Sequence, residues 1–245
     1  MTEQDKVREV IRLKEQAPFA FDTQHAVLVV VDMQRYFVRC DYPLAQVFEK
    51  LVPGVTSGYF ERVRQLVVPN VQRLPACFRE RKLPIFFTAT GCWMLDGRDL
   101  PGWLKDLDKL GLAVLGERVF PVVNDPSWEI DEAVAPMTGE VLNKVSSGPF
   151  SSTRLDQILR NAGVQTLFVV GLTTDVCVGL TAREAADCDF QAVIVGDACT
   201  GWSEEMHRVG LEAFSFAFGR VVRTDDAIRL LGSRVYAGAV ATPTV

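Results

Sequence analysis

Histidine is scarce in this chain of 245 residues: His25 and His207 are the only two. That nearly excludes a Ser-His-Asp or Cys-His hydrolase and a multi-histidine metal site, unless one of the two serves. The six cysteines (Cys40, Cys77, Cys92, Cys177, Cys188 and Cys199) form no CxxC pair, which argues for reduced thiols rather than a disulfide framework. No apolar run reaches the length of a membrane span, and the N-terminus is charged rather than signal-like, so the expected location is the cytoplasm. The net charge of −5 is mixed along the chain, with no basic stripe for nucleic acid and no polybasic run for a membrane surface. Phosphate-binding patterns are missing as well. No GxGxxG follows the first apolar run, where Val31-Asp32-Met33-Gln34 stands instead, and there is no GxxxxGK[ST] loop. Ser147-Gly148 lacks the glycine two residues before the serine that a nucleophile elbow requires.

What is present, at 48% hydrophobic residues, fits one large α/β domain with a substantial core. Residues 1–16 read as a charged helix within an arm spanning 1–20, which packs on the domain or another subunit, or frays. Residues 21–235 read as a single domain and 236–245 as a tail. Apolar runs at 26–31, 83–90, 140–143, 166–170, 192–196 and 220–223 read as six strands, and helical signals fall mostly between them. The expected fold is a three-layer αβα sandwich, with a doubly wound, mainly parallel, Rossmann-like sheet. Residues 38–57 read as an irregular excursion, 58–82 as broadly helical with breaks at Pro69 and Pro75, and 94–116 as an insertion able to form a lid or pocket wall.

Three polar residues fall at the carboxyl ends of three of these runs: Asp32, Lys144 and Cys177. In a doubly wound sheet those ends share one edge, and the reversal of strand order opens a crevice there. Cys177 follows a strand and precedes a helix, where unpaired N–H groups and the helix dipole favour thiolate, and a neighbouring ammonium would favour it further. Asp32 can accept the thiol proton and return one to a leaving amine. Backbone N–H groups of Thr173 and Cys177 could bind an oxyanion. The plainer readings are a buried structural cysteine and a structural ion pair between Asp32 and Lys144.

The segments VVVDMQRYF (29–37), LNKVSSGPFSST (142–153) and VVGLTTDVCVGLTAREAADCDFQAVIVGDAC (169–199) resemble the isochorismatase-like cysteine hydrolase superfamily. The last carries the family's G-[IL]-x-T-[DN]-x-C-V pattern around the nucleophile. The resemblance implies an Asp-Lys-Cys triad at Asp32, Lys144 and Cys177, and a cis peptide at Leu172–Thr173 that aims the Thr173 N–H at the substrate oxygen beside that of Cys177. It implies hydrolysis of a small amide, carbamoyl or ureido compound through a thioester, with release of ammonia. The amidohydrolases of N-carbamoylsarcosine, ureidoacrylate, biuret and maleamate are the members it is similar to.

The family's nicotinamidase branch uses a metal bound by Asp and two His soon after the first strand, and residues 33–80 contain no histidine. No metal and no cofactor is therefore expected. The isochorismatase branch, which cleaves a vinyl ether without a cysteine nucleophile, and a non-catalytic member of the fold are the alternatives. Gln34, Phe37, Trp93, Phe150 and Thr173 are expected to line the pocket, although each aromatic can equally be core. Arg98, Arg118 or Arg183 could clamp a substrate carboxylate, against the commoner case of solvated surface arginine. Cys92 and Cys199 read as small buried fillers. The arm and the 94–116 insertion offer surface for a homo-oligomer, a dimer or tetramer; no nucleic-acid or membrane partner is expected.

Overall fold

The structure is a computed structural model that describes residues 1–17, 19, 21–134 and 139–232. The expected tail at 236–245 lies outside the described residues. Helix α1 (Glu3–Gln16) starts at a capping box, in which Thr2 and Asp5 satisfy each other's backbone N–H groups. It docks on the C-terminal part of the chain: Arg8 pairs with Glu212 at 2.8 Å, and Lys14 donates to the Gly219 carbonyl at 2.9 Å.

Strand β1 (Ala26–Val31) is buried along its whole length, as its unbroken branched-apolar sequence requires. Two short helices follow, α2 (Arg35–Val38) and α3 (Pro43–Leu51). The expected irregular excursion over 38–57 is thus largely helical. Pro43 sits in the first turn of α3, where its missing N–H costs nothing and its fixed φ favours the helix, so this proline starts the element it was read as breaking. Helix α4 (Ser57–Arg62) passes through a wide π turn at Val63–Val67 into α5 (Val68–Glu80). Pro69 again falls in a first turn, whereas Pro75 is tolerated inside α5.

Strand β2 (Ile85–Thr90) precedes α6 (Gly102–Leu115), and β3 (Glu140–Lys144) precedes α7 (Pro149–Ser152) and α8 (Leu155–Asn161). Thr153 Oγ1 accepts the Leu155 N–H at the start of α8. Strand β4 (Thr166–Leu172) turns through Thr174–Val178 into α9 (Gly179–Asp187). Strand β5 (Gln191–Thr200) runs four residues beyond the apolar run that marks it, because a register shift in its pairing with β4 sets residues 195–198 opposite Val170 alone. Then come α10 (Glu204–Ala217), capped by Ser203 Oγ on the Met206 N–H, β6 (Arg220–Val222) and α11 (Thr224–Gly232).

The sheet is six-stranded and wholly parallel, in the order β3-β2-β1-β4-β5-β6. The chain winds outward from β1 through β2 to β3, then crosses to the other side at β4. Two apolar clusters, one on each face, bury the sheet between helices. Each fully buried Val or Leu of β1 and β4 contributes about 1.5–3 kcal/mol. A charge at Val29, which is fully buried, would break the sheet's centre. No helix among the described residues is long and apolar enough to cross a membrane.

Candidate active site

The reversal of strand order lies between β1 and β4, and the carboxyl ends of these strands open the crevice there. Backbone geometry is unusual on both sides of it. Asp32, the first residue after β1, has φ 49°, a left-handed conformation uncommon for a residue with a side chain. Gly171 has φ 113°, and a Cβ there would run into the Val31 carbonyl, so only glycine lets β4 approach β1 so closely. The Leu172–Thr173 peptide bond is cis.

Three strands deliver the three side chains. Lys144 ends β3, opposite Thr90 of β2, and reaches across β2 to Asp32. Its Nζ lies 2.9 Å from Asp32 Oδ2, 2.6 Å from Thr90 Oγ1, 3.0 Å from the Ser146 carbonyl and 3.5 Å from Cys177 Sγ. Asp32 in turn accepts from Thr88 Oγ1 at 3.0 Å and Thr90 Oγ1 at 2.9 Å, and its carboxylate lies close enough to act on the Cys177 thiol. Asp32 and Lys144 are fully buried, and Cys177 is 7% exposed.

Protonation follows from this arrangement. Burial disfavours the Lys144 ammonium, but Asp32 and Cys177 more than offset it, holding Lys144 above its ordinary pKa. Burial pushes the Cys177 thiol up to about 12; Lys144 pulls it down, and the Asp32 carboxylate, as charge and hydrogen-bond acceptor, pushes it up again. These directions work against the thiolate expected at neutral pH: burial opposes it, and the Lys144 charge meant to favour it is shared with Asp32, 2.9 Å away.

Above the thiol lies a small apolar cleft of about 70 Å³. Phe37 and Thr173 line it, as the sequence reading expects, and Cys177 lies at its base. Gln34 does not: it is buried, donates to the Thr90 and Trp128 carbonyls and accepts the Thr90 N–H, so it fixes the end of β2 against β1. Trp93 is 62% exposed, and Phe150 packs against Phe190 in the opposite core cluster. The 94–116 insertion does form a wall, through Trp103, Leu104 and Leu107 of α6. Sequence reasoning missed Trp202 and Phe48. Trp202 stacks on Tyr59 with ring centres 4.1 Å apart and meets Phe48 edge-on. The only signal available for Trp202 was its place just past the carboxyl end of a strand.

None of the three arginines proposed as clamps lines the cleft. Arg98 is largely solvated beside Met94 and Asp96, Arg118 is held by Asp108 and the Leu95 carbonyl, and Arg183 lies over the Phe218 ring. Cys92 is buried against the Pro121 carbonyl, with Arg118 Nη2 3.3 Å from its sulfur; Cys199 is buried and bonds the Val195 carbonyl. Among the described residues, no group of three or more His, Cys, Asp or Glu side chains is placed to hold a metal.

A family model described as "Isochorismatase domain" matches residues 26–226, from the first strand to the last helix. This chain belongs to the isochorismatase family. Its match to the phenazine biosynthesis protein PhzD1 of Pseudomonas aeruginosa is 30% identical and covers 86% of this chain and 89% of that protein. Its match to the ureidoacrylate amidohydrolase RutB of Methylobacterium radiotolerans is 27% identical over 91% of this chain and 86% of that one. The fold is shared with a cysteine hydrolase from Pseudomonas syringae pv. phaseolicola, at a TM-score of 0.71 and 23% identity over 89% of this chain and 98% of that one. The cleft therefore belongs to an isochorismatase-family hydrolase.

Proposed function

We propose that the chain is a cysteine amidohydrolase that cleaves the C–N bond of a small amide, carbamoyl or ureido compound and releases ammonia. The observation that carries this reading is that Lys144 Nζ lies 2.9 Å from Asp32 Oδ2 and 3.5 Å from Cys177 Sγ, which brings the three residues together at one cleft. The likeness to a ureidoacrylate amidohydrolase supports it.

In the first half-reaction, Cys177 Sγ bonds to the substrate carbonyl carbon while its proton moves to Asp32. Negative charge passes from the carboxylate to the sulfur and on to the carbonyl oxygen. Lys144 Nζ lies near both Asp32 Oδ2 and Sγ, so it stabilises the charge before and after the transfer. The N–H groups of Thr173 and Cys177 hold the tetrahedral oxyanion. Collapse breaks the C–N bond as Asp32 returns the proton to the departing nitrogen, leaving a thioester on Cys177. In the second half-reaction, Asp32 takes a proton from water, the resulting hydroxide adds to the thioester, and the acid leaves as Cys177 regains its proton.

The test is ammonia release from a panel of amides and ureides by the native chain, Cys177→Ser and Asp32→Asn. Both variants should lose release by about a thousandfold or more. Full activity in Cys177→Ser would remove the thioester, and activity that survives there but not in Asp32→Asn would favour ether cleavage of the isochorismatase kind.

A further inference from the structure

The cleft carries a specificity of its own. Its walls include Phe37, Phe48, Trp103, Leu107, Phe120 and Trp202, its hydroxyl- and thiol-bearing lining residues are Thr90, Ser147, Thr173 and Cys177, and no Lys, Arg, Asp or Glu is among the described residues that line it. Lys144, the nearest cation, has no capacity to spare. An ammonium has three protons, and Asp32, Thr90, the Ser146 carbonyl and Cys177 surround it. Arg62, near this end of β5, is bonded to Thr200 Oγ1 and the Gly201 carbonyl and does not line the cleft. A carboxylate brought in with the substrate would lose its water and meet no free positive partner among the described residues that line the cleft, a penalty that binding rarely recovers.

Size restricts the ligand further. A space of about 70 Å³ holds a few heavy atoms beyond the reacting carboxamide. The aromatic wall is also braced: Trp202 is stacked on Tyr59 and flanked edge-on by Phe48, so it presents a firm apolar face.

We propose that this cleft selects small, neutral carboxamides bearing an apolar substituent and rejects ureido and amide substrates that carry a carboxylate. The assignment rests on the amidohydrolase reading for its chemistry, but recognition can be read without turnover.

The experiment is a fluorescence titration of Cys177→Ser, using the tryptophans at the cleft as reporters, with two nearly isosteric probes, 4-methylpentanamide and succinamate. The expected result is saturable quenching by 4-methylpentanamide, with succinamate weaker by about a hundredfold or more, or without effect. Equal or tighter binding of succinamate, or no response to the neutral amide, would overturn the proposal. If the neutral amide binds with this preference and the native chain releases no ammonia from it, the amidohydrolase reading falls while the assignment of the cleft stands.

Discussion

Lys144 Nζ lies 2.9 Å from Asp32 Oδ2, with both side chains fully buried at the carboxyl edge of the sheet. Removing one partner strands the other charge away from water. Lys144→Met is thus expected to lower stability by about 3–5 kcal/mol in urea unfolding, and combining it with Asp32→Asn should recover part of the loss. Additive losses in the double variant would contradict the pairing.

The thiol should behave as a buried neutral group. With Cys177 held near 12, alkylation of this residue by iodoacetamide should be slow at pH 7 and climb steadily with pH through 10. Peptide mapping separates it from exposed Cys40 and half-buried Cys77. A rate at Cys177 already flat below pH 8 would mean a resting thiolate.

Thr90 touches both members of the ion pair: its hydroxyl donates to Asp32 Oδ2 and accepts from Lys144 Nζ. Thr90→Val keeps the shape and removes both bonds. The expected outcome is a kcat about ten- to a hundredfold lower with KM little changed, and recovery in Thr90→Ser. An equal loss in the serine variant would point to packing instead.

His207 gives stability a pH dependence. Burial, aided by the Arg62 charge, lowers its pKa to about 4, while Thr174 Oγ1 lies 2.7 Å from Nδ1. The unfolded chain takes up this proton from about pH 6.5 downward, so the unfolded state binds more protons between 6.5 and 4. The contribution is fully present above pH 6.5 and is lost as pH falls toward 4. His207→Gln should flatten that limb of a plot of stability against pH; an unchanged slope would assign it to other groups.

Much of this was legible in the sequence because the signals were local and periodic. The branched runs of β1 and β4 could only be buried parallel strands, and Asp32, Lys144 and Cys177 were marked by polarity at the ends of such runs. The walls of the cleft were less visible. Trp202, Phe48 and Leu107 come from three separate stretches of chain, and nothing in an isolated apolar side chain tells core from pocket. Helix α3 was hidden because Pro43 can start a helix as well as stop one. The ionisation of Cys177 is not legible in sequence for a geometric reason: only the three-dimensional contact shows that the Lys144 charge is shared with Asp32.

The most direct measurement is mass spectrometry of Cys177 after rapid acid quench of the native chain turning over a small carboxamide. The predicted result is an acyl adduct on the Cys177 peptide, with the mass of the substrate less ammonia, that forms and decays with turnover. Steady ammonia release with no adduct at any quench time, together with full release by Cys177→Ser, would contradict the thioester route.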